Sequence, residues 1–318
     1  MINRTTRPLV ESAMLTAVTI IMAIMGTALP MFFFLLYILP IPIAVNIFRH
    51  GLRWGVISIA ASALIAGSVF GIYSAVTVIT VTIFVSPALG IGFRRFSPTK
   101  NLIITIAASL ISIALALGAA FLIMGVNFLT DFQTALNTAT QASIEIYKTM
   151  GLTDADIQSQ SGQIEKIVKL IMLSLPAGIA LSAVGSAFVN FILTQRLLKR
   201  LGERTLAGLP AFAQWHMPII FLFLFGFSLV GMYWGSTRDI SLLYNVSFNI
   251  NYFSSMFCRL QGLSLLYCAL QHFKLPTAPK IMIMVLVIFT PFMEIFMYVG
   301  LFDMIFDYRA RFTKGRNI

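Results

Sequence analysis

The sequence predicts an all-α fold: a polytopic membrane helical bundle of eight or nine transmembrane helices, with a six-helix core and a C-terminal helical module. Of its 318 residues, 58% are apolar and only 10% are charged, whereas a soluble domain carries about 25% charged residues. Long continuous apolar runs match the roughly 20 residues with which a helix crosses a bilayer. Lipid is therefore the main solvent of the chain, and helices satisfy their own backbone groups in lipid.

The predicted core occupies residues 1–200. Arg4 and Arg7 precede its first span, and since basic residues accumulate at cytoplasmic span ends, the N-terminus is expected in the cytoplasm. The same bias accounts for the net charge of +11 without nucleic-acid binding. Pro40 and Pro42 lie inside the second span and free backbone carbonyls that need other partners. The six predicted spans cover residues 9–29, 31–48, 54–70, 74–93, 102–125 and 167–193.

Residues 127–165 form the one long polar stretch of the core and are predicted to be extracytoplasmic. Apolar residues recur there at near-helical spacing, which predicts an amphipathic helix. A break at Gly151 and a new helix start at Thr153 or Asp154 should follow. Two interpretations remain: a lid over an outward-facing site, or a connecting loop.

A cytoplasmic linker at 201–215 is predicted to lead into a C-terminal membrane module at 216–318, with two or three helices and a basic tail. Its candidate spans cover 217–235, 250–272 and 281–302. Nine spans would place the basic tail outside, against the charge rule. Eight spans would place both termini in the cytoplasm, and 250–272 is then the segment that does not cross.

Two ionisable residues inside predicted spans, Arg259 and Glu294, are candidates for an intramembrane ion pair. Charges are costly in lipid and need partners. If the last two spans are antiparallel, both residues lie about 12–14 Å from the outer end. We favour a structural salt bridge over a proton or ligand site, because each charge would satisfy the other.

Further carboxylates lie at predicted span ends. Asp303 and Asp307 are four residues apart on one helix face, beside Arg309, and form a candidate polar helix-end cluster. That spacing could hold a cation or a partner arginine, although we favour a water-facing helix end. Glu11, at the mouth of the first span, is likewise expected to be interfacial and solvated.

Signatures of soluble enzymes are missing from the sequence. It contains no Gly-x-x-x-x-Gly-Lys-Ser/Thr phosphate loop, no His-Glu-x-x-His pair and no Cys-x-x-Cys. The prediction is therefore a protein that is not an enzyme, with no cofactor or metal site. No ATP-binding motif is present either, so any ATP-driven activity would need a separate subunit.

The first span presents Ala13 and Ala17 on one face, where small residues allow close helix packing. Together with Pro40 and Pro42 and the loop from Gly51 to Gly55, this region resembles the start of a substrate-binding S-component of energy-coupling-factor transporters. The resemblance implies that Ala13 and Ala17 dock a membrane coupling subunit served by a separate ATPase. It also implies a small-molecule ligand held by a six-helix core. S-components end after this core, so the residues beyond 200 have no counterpart in that fold.

Over nearly its whole length the chain is similar to the YybS-like family of bacterial membrane proteins. The resemblance includes Gln261-Gly-Leu-Ser and the run from Gly300 to Arg309. It implies a bacterial plasma-membrane location and informs on fold more than on function. The leading functional hypothesis is a transporter-type substrate-binding protein with an outward-facing polar pocket. The alternative is a membrane scaffold of the cell envelope with a dry, packed core.

Overall fold

The computed structural model describes residues 6–150 and 154–310, and within those residues the chain is helical and contains no β-strand. The predicted all-α class is confirmed. Two short 3-10 turns occur at Pro30–Phe32 and Phe212–Gln214. The α-helices are α1 (Thr6–Ala28), α2 (Phe34–Ile38), α3 (Pro40–His50), α4 (Leu52–Thr82), α5 (Val85–Arg95), α6 (Pro98–Met124), α7 (Phe128–Thr149), α8 (Asp154–Arg200), α9 (Ile220–Thr237), α10 (Ser241–His272), α11 (Thr277–Ile288) and α12 (Phe292–Phe306).

The helices form two compact units. Unit 1 comprises the described residues up to 165 together with 179–209, and unit 2 comprises 166–178 and the described residues from 210 onward. The predicted linker at 201–215 is thus divided between the two units: residues 201–209 belong to unit 1 and residues 210–215 belong to unit 2.

In unit 1 the chain reverses direction at Gly71, inside α4. This residue has φ 77° and ψ −175°, far from helical values, and a positive φ favours glycine because it lacks Cβ. A Cβ added at Gly67 would lie 2.8 Å from the Cβ of Ala75, although eight residues of straight helix would span about 12 Å. The two arms therefore form a helical hairpin, in which the predicted third and fourth spans lie side by side.

The predicted second span is divided by its prolines. The 3-10 turn, α2 and α3 follow one another, and every residue of α3 from Pro40 to Ile47 is buried. Two carbonyls of this region find partners elsewhere in unit 1. Asn190 Nδ2 donates to the carbonyl of Tyr37 at 2.7 Å, and Ser86 Oγ donates to that of Pro40 at 3.1 Å. Side chains thus supply the partners that a proline-containing segment needs in lipid.

The polar stretch 127–165 is helical on both sides of the undescribed residues. Asn127 caps α7, with its side-chain oxygen accepting from the amides of Leu129 and Thr130. Helix α8 begins at Asp154 and runs without interruption to Arg200. Its apolar portion Gln160–Arg200 has 41 residues, or roughly 60 Å of helix. That length is about twice the hydrocarbon thickness of a bilayer, so part of α8 extends beyond the membrane.

Unit 2 contains an amide that bridges a proline site in α8. Pro176 lacks the amide hydrogen that a helix needs. Asn249 of α10 accepts from the amide of Ala177 at 2.9 Å and donates to the carbonyl of Leu173 at 2.9 Å. One asparagine therefore satisfies a donor and an acceptor of α8 beside the proline.

The last predicted span, 281–302, is not one straight helix. Helices α11 and α12 are bent by 101° at the break between them. Pro291 precedes α12, and proline disfavours helical backbone in the residue before it. The prediction of a continuous span is therefore wrong at this position.

Six helical segments of the described chain have the length and composition to cross a membrane, or seven if α11 and α12 form one broken span. The predicted number was eight or nine. One of the six, Leu52–Arg95, contains the hairpin at Gly71 and so holds two predicted spans. Helix α10 is not among the six, and it contains 250–272, the segment whose crossing the sequence left open.

Several sequence predictions concern residues outside the described set. These include the Gly151 break, Thr153 as an alternative helix start, and the side chains of Arg4 and Arg7, on which the predicted orientation depends. In the predicted basic tail, Arg311, Lys314 and Arg316 also lie outside it.

Candidate functional site

The predicted docking residues Ala13 and Ala17 lie on an exposed face of α1. Met14 and Val18 extend this face and are 66% and 46% exposed. The opposite face of α1 packs into unit 1 through Ser12, Thr19 and Ala23, all buried. The small-residue face is therefore available to another helix or to lipid.

Behind that face, a buried polar junction joins α1, α3 and α4. Asn46 is fully buried. Its Oδ1 accepts from Ser12 Oγ at 2.7 Å, and its Nδ2 donates to Ser58 Oγ at 2.7 Å. Thr16 Oγ1 also donates to Ser58 Oγ, at 2.7 Å. Asn46 was not among the predicted site residues. Its position inside an apolar run could have indicated it, since a buried amide normally has a hydrogen-bond partner.

Glu11 is paired rather than solvated. Its Oε2 lies 3.0 Å from Arg49 Nη1 and 3.0 Å from His50 Nε2, and the Glu11 side chain is 23% exposed. The expectation of a free interfacial carboxylate is therefore wrong. Two basic groups at the end of α3 hold it and fix α1 against α3.

The described part of unit 1 contains a cavity of about 290 Å³. Aliphatic and aromatic side chains form most of its wall, and hydroxyl groups interrupt it. None of the described residues that line it is charged. They are Phe33, Leu36, Tyr37, Pro40, Tyr73, Val76, Thr77, Thr80, Val81, Val85, Ser109, Ser112, Ile113, Ala116, Leu117, Ala120, Ser182 and Ser186.

The cavity lies toward one end of the helices of unit 1. Its α6 contribution runs from Ser109, near the middle of that helix, to Ala120, close to its C-terminal end, and its α4 contribution follows the Gly71 reversal. The basic clusters of unit 1 lie at other helix ends: Arg49 and His50 are in the last turn of α3, Arg94 and Arg95 end α5, and Arg200 ends α8. The cavity is thus built from stretches without basic residues.

Two serines that line the cavity have hydroxyl oxygens that are buried, away from the open space, without a hydrogen-bond partner among the described residues, as do Ser62, Ser74 and Thr194 outside the wall. The two oxygens in the wall are Ser109 Oγ and Ser112 Oγ, on residues that are 3% and 6% exposed. Residues three apart on a helix share a face. Sequence analysis predicted a polar pocket in the core, whereas this cavity is mainly apolar with a few hydroxyls. In the sequence, no neighbouring residue marks Ser109 and Ser112 as different from other serines in apolar helices.

In unit 2, Arg259 and Glu294 form a bidentate contact. Arg259 Nη2 donates to both carboxylate oxygens of Glu294, at 2.8 and 2.9 Å, and Arg259 Nη1 donates to Ser255 Oγ at 2.9 Å. The Glu294 side chain is 62% exposed and lies in the first turn of α12. The two charges therefore meet at the broken helix rather than at mid-length of a continuous span.

The helix-end cluster of unit 2 differs from the water-facing end that the sequence suggested. Asp303 is 3% exposed and Arg309 is 5% exposed, and Arg309 Nε lies 3.1 Å from Asp303 Oδ2. Gln261 Nε2 donates to the same oxygen at 2.6 Å. Asp307 is exposed and does not join them. It ends α12 in a left-handed conformation, φ 44°, and the chain then turns back so that Arg309 reaches Asp303.

Among the described residues, no group of three or more His, Cys, Asp or Glu side chains could hold a metal ion.

Apolar helices of membrane-spanning length, buried amides and charges paired between different segments define a polytopic helical membrane protein. The chain belongs to the family described as Predicted membrane protein (DUF2232), which matches residues 17–304. It is similar to the protein described as Uncharacterized protein YybS of Bacillus subtilis (strain 168), with 24% identity over 319 residues, covering 96% of this chain and 98% of the relative. No solved structure matches. The predicted YybS-like family is thereby confirmed.

Proposed function

We propose that the protein is a transporter-type, S-component-like substrate-binding protein of the bacterial plasma membrane, and that the cavity of unit 1 holds its substrate. The observation that carries the proposal is a partly open space of about 290 Å³, close to the lower limit of roughly 300 Å³ for small-molecule sites, which lie between helices of bundles among other places.

In this proposal the N-terminus is cytoplasmic and the cavity lies on the extracytoplasmic side. Arg49, Arg94, Arg95 and Arg200 end their helices away from the cavity-lining stretches, and basic residues favour the cytoplasmic side. A separate coupling subunit with its own ATPase would drive release of the substrate. It would dock on Ala13 and Ala17.

Filling the cavity should abolish retention of a small molecule. Ala116→Phe places a ring in the wall of the cavity on α6. We expect the bound fraction of a co-purifying compound to fall by about tenfold or more. A loss of about 1.4 kcal/mol in binding free energy already lowers the affinity tenfold. Native mass spectrometry of the purified protein measures the bound fraction directly.

The matched control is Ala114→Phe, which adds the same ring to the exposed side of the same helix. It should leave the bound fraction unchanged. If the parent protein retains no compound, or if both variants retain it equally, the cavity is not a substrate site and the scaffold hypothesis becomes the better one.

Bulky residues at Ala13 and Ala17 should prevent association with a coupling subunit. Both side chains are exposed, so the double variant Ala13→Phe/Ala17→Phe should fold normally, yet it would hold a partner helix away from α1. We expect at least about a tenfold drop in co-purified partner, equivalent to 1.4 kcal/mol, quantified by mass spectrometry after affinity capture from native membranes. Ala60→Phe, at an exposed position of α4, is the matched control. Equal co-purification in the three proteins would contradict docking at this face.

A further inference from the structure

Exposed basic side chains collect where α5, α6 and α8 of unit 1 come together. They belong to the end of α5, the start of α6, the end of α8 and the residues that follow α8. The stretches 94–100 and 196–204 contain seven basic residues and one acidic residue, Glu203, so positive charge dominates. The seven form what we call the basic patch: Arg94, Arg95, Lys100, Arg196, Lys199, Arg200 and Arg204.

An apolar cluster holds these stretches side by side. The rings of Phe93 in α5 and Phe191 in α8 have centroids 4.7 Å apart. Leu102 of α6 and Leu209 after α8 pack against the same cluster. Every residue of the basic patch lies within eight residues of a member of this cluster, and eight residues of helix span about 12 Å. The seven charges therefore form one surface.

The basic patch lies where three segments with the length and composition of membrane spans have an end. Leu52–Arg95 and Gln160–Arg200 each end at a patch residue, and Pro98–Ile123 begins two residues before Lys100. Long basic side chains at the ends of such helices extend to the boundary between hydrocarbon and water. Lipid phosphates lie at that boundary, so the basic patch is level with the headgroups.

The basic patch has no counter-charge of its own. Three arginines elsewhere in the described chain each contact a carboxylate: Arg49 with Glu11, Arg259 with Glu294, and Arg309 with Asp303. By contrast, no ion pair joins the basic patch to a described carboxylate. The planar guanidinium of arginine binds phosphate through two parallel hydrogen bonds, which makes a phosphate a suitable external partner.

An apolar stripe on α6 continues from the basic patch into the membrane. Lys100, Ile103, Ala107 and Leu110 are all exposed, and their spacing of three and four residues places them on one face of the helix. A positive charge at the surface end of an exposed hydrocarbon stripe matches a molecule with an anionic head and an apolar tail.

We propose that the basic patch binds the headgroup of an anionic phospholipid, with an acyl chain along the exposed stripe of α6. A phospholipid fits better than a soluble anion, because the stripe offers an apolar surface directly below the charges. Positive charge at span ends also orients a chain in the membrane, and lipid retention is a further property of the same residues. The inference does not rest on the proposed function.

Two lipids with identical acyl chains separate headgroup charge from tail. The full chain is delipidated in a neutral detergent and titrated with dioleoylphosphatidylglycerol, which is anionic, or dioleoylphosphatidylcholine, which has no net charge. Native mass spectrometry counts the bound lipids. We expect phosphatidylglycerol to bind at least about tenfold more tightly. A higher ammonium acetate concentration should weaken phosphatidylglycerol binding alone, because salt screens exposed charges.

Neutral variants test the charges of α5 and α6. Arg94→Gln/Arg95→Gln/Lys100→Gln should weaken phosphatidylglycerol binding by at least about tenfold and leave phosphatidylcholine binding unchanged, which also shows that the variant is folded. Arg94→Lys/Arg95→Lys retains the charges and should bind phosphatidylglycerol within about threefold of the parent protein. If the neutral variant does not fold, the lysine variant, the two lipids and the salt dependence still decide.

The matched control removes three exposed charges outside the basic patch. It is Lys148→Gln/Lys166→Gln/Lys274→Gln, and it should leave phosphatidylglycerol binding unchanged. Arg196→Gln/Lys199→Gln, on the α8 side of the basic patch, should weaken that binding by about tenfold.

Three outcomes would overturn the proposal. Equal affinity for the two lipids would leave the basic patch as a determinant of topology or a contact for an acidic protein. Equal losses in the control and the patch variants would show that only total charge matters. Full displacement of phosphatidylglycerol by an equal concentration of inorganic phosphate would show that the site takes a free anion instead.

Discussion

Gly300→Ala should destabilise unit 2 by about 3 kcal/mol, the upper part of the range for overpacked sites. A Cβ at Gly300 would overlap the carbonyl oxygen of Cys258 and would lie 2.7 Å from the amide nitrogen of Gly262. A Cβ at Gly262 would in turn overlap the carbonyl oxygen of Phe296. Both obstacles are backbone atoms, so no rotamer change can relieve the overlap. Helices α10 and α12 would have to move apart.

The measurement is thermal unfolding in detergent, followed by tryptophan fluorescence in a Trp54→Phe background, which leaves Trp215 and Trp234 of unit 2 as the emitters. Gly226→Ala in α9 is the matched control, because nothing lies within 4 Å of a Cβ added there. It should be neutral or slightly stabilising, since alanine is the better helix former. A Gly300→Ala variant as stable as Gly226→Ala would show that the two backbones are not in close contact.

Helical class and approximate span positions could be predicted because they depend on composition and on continuous apolar length, which are local properties. The reversal at Gly71 separates two apolar runs at a residue that tolerates positive φ. The bend before α12 has an equally local cause in Pro291. The continuous span predicted over 281–302 rested on apolar length alone and took no account of Pro291.

Pairing of side chains was partly predictable. Arg259 and Glu294 could be matched because isolated charges in apolar segments need partners. Their contact is present in the structure, but the depth argument for it assumed a straight last span. Glu11 and Asp303 were expected in water because each lies at a span end. Their partners, Arg49 and Arg309, reach them only once α1 packs on α3 and the chain turns at Asp307.

The cavity of unit 1 was not predictable residue by residue. Its wall combines stretches from Phe33 to Ser186, which are brought together only by the packing of the helices. Asn46 and Asn249 were detectable in principle, as amides inside apolar segments. What each amide bonds to depends on which helix lies opposite, and that is a property of the packed bundle.

Arg309→Met should destabilise unit 2 by about 3–5 kcal/mol, the range for removing one partner of a buried ion pair. Arg309 donates to three groups: Asp303 at 3.1 Å, the carbonyl of Ala213 at 2.9 Å and the carbonyl of Gln261 at 3.3 Å. It thereby ties the residues after α12 to α10 and to the turn at Phe212–Gln214. Methionine would retain much of the volume but none of the donors.

The main cost in Arg309→Met would come from Asp303, whose side chain has 0% exposure and would keep one hydrogen bond from Gln261. The control is the double variant Asp303→Leu/Arg309→Met, which removes both charges. Because replacing a buried pair by apolar residues is often neutral, the double variant should recover most of the lost stability. The readout is again the tryptophan-detected melting temperature. The single variant Asp303→Leu completes the comparison. If the loss of stability in the double variant equals the sum of the losses in Asp303→Leu and Arg309→Met, the arginine acts through its carbonyl contacts and the ion pair itself contributes little.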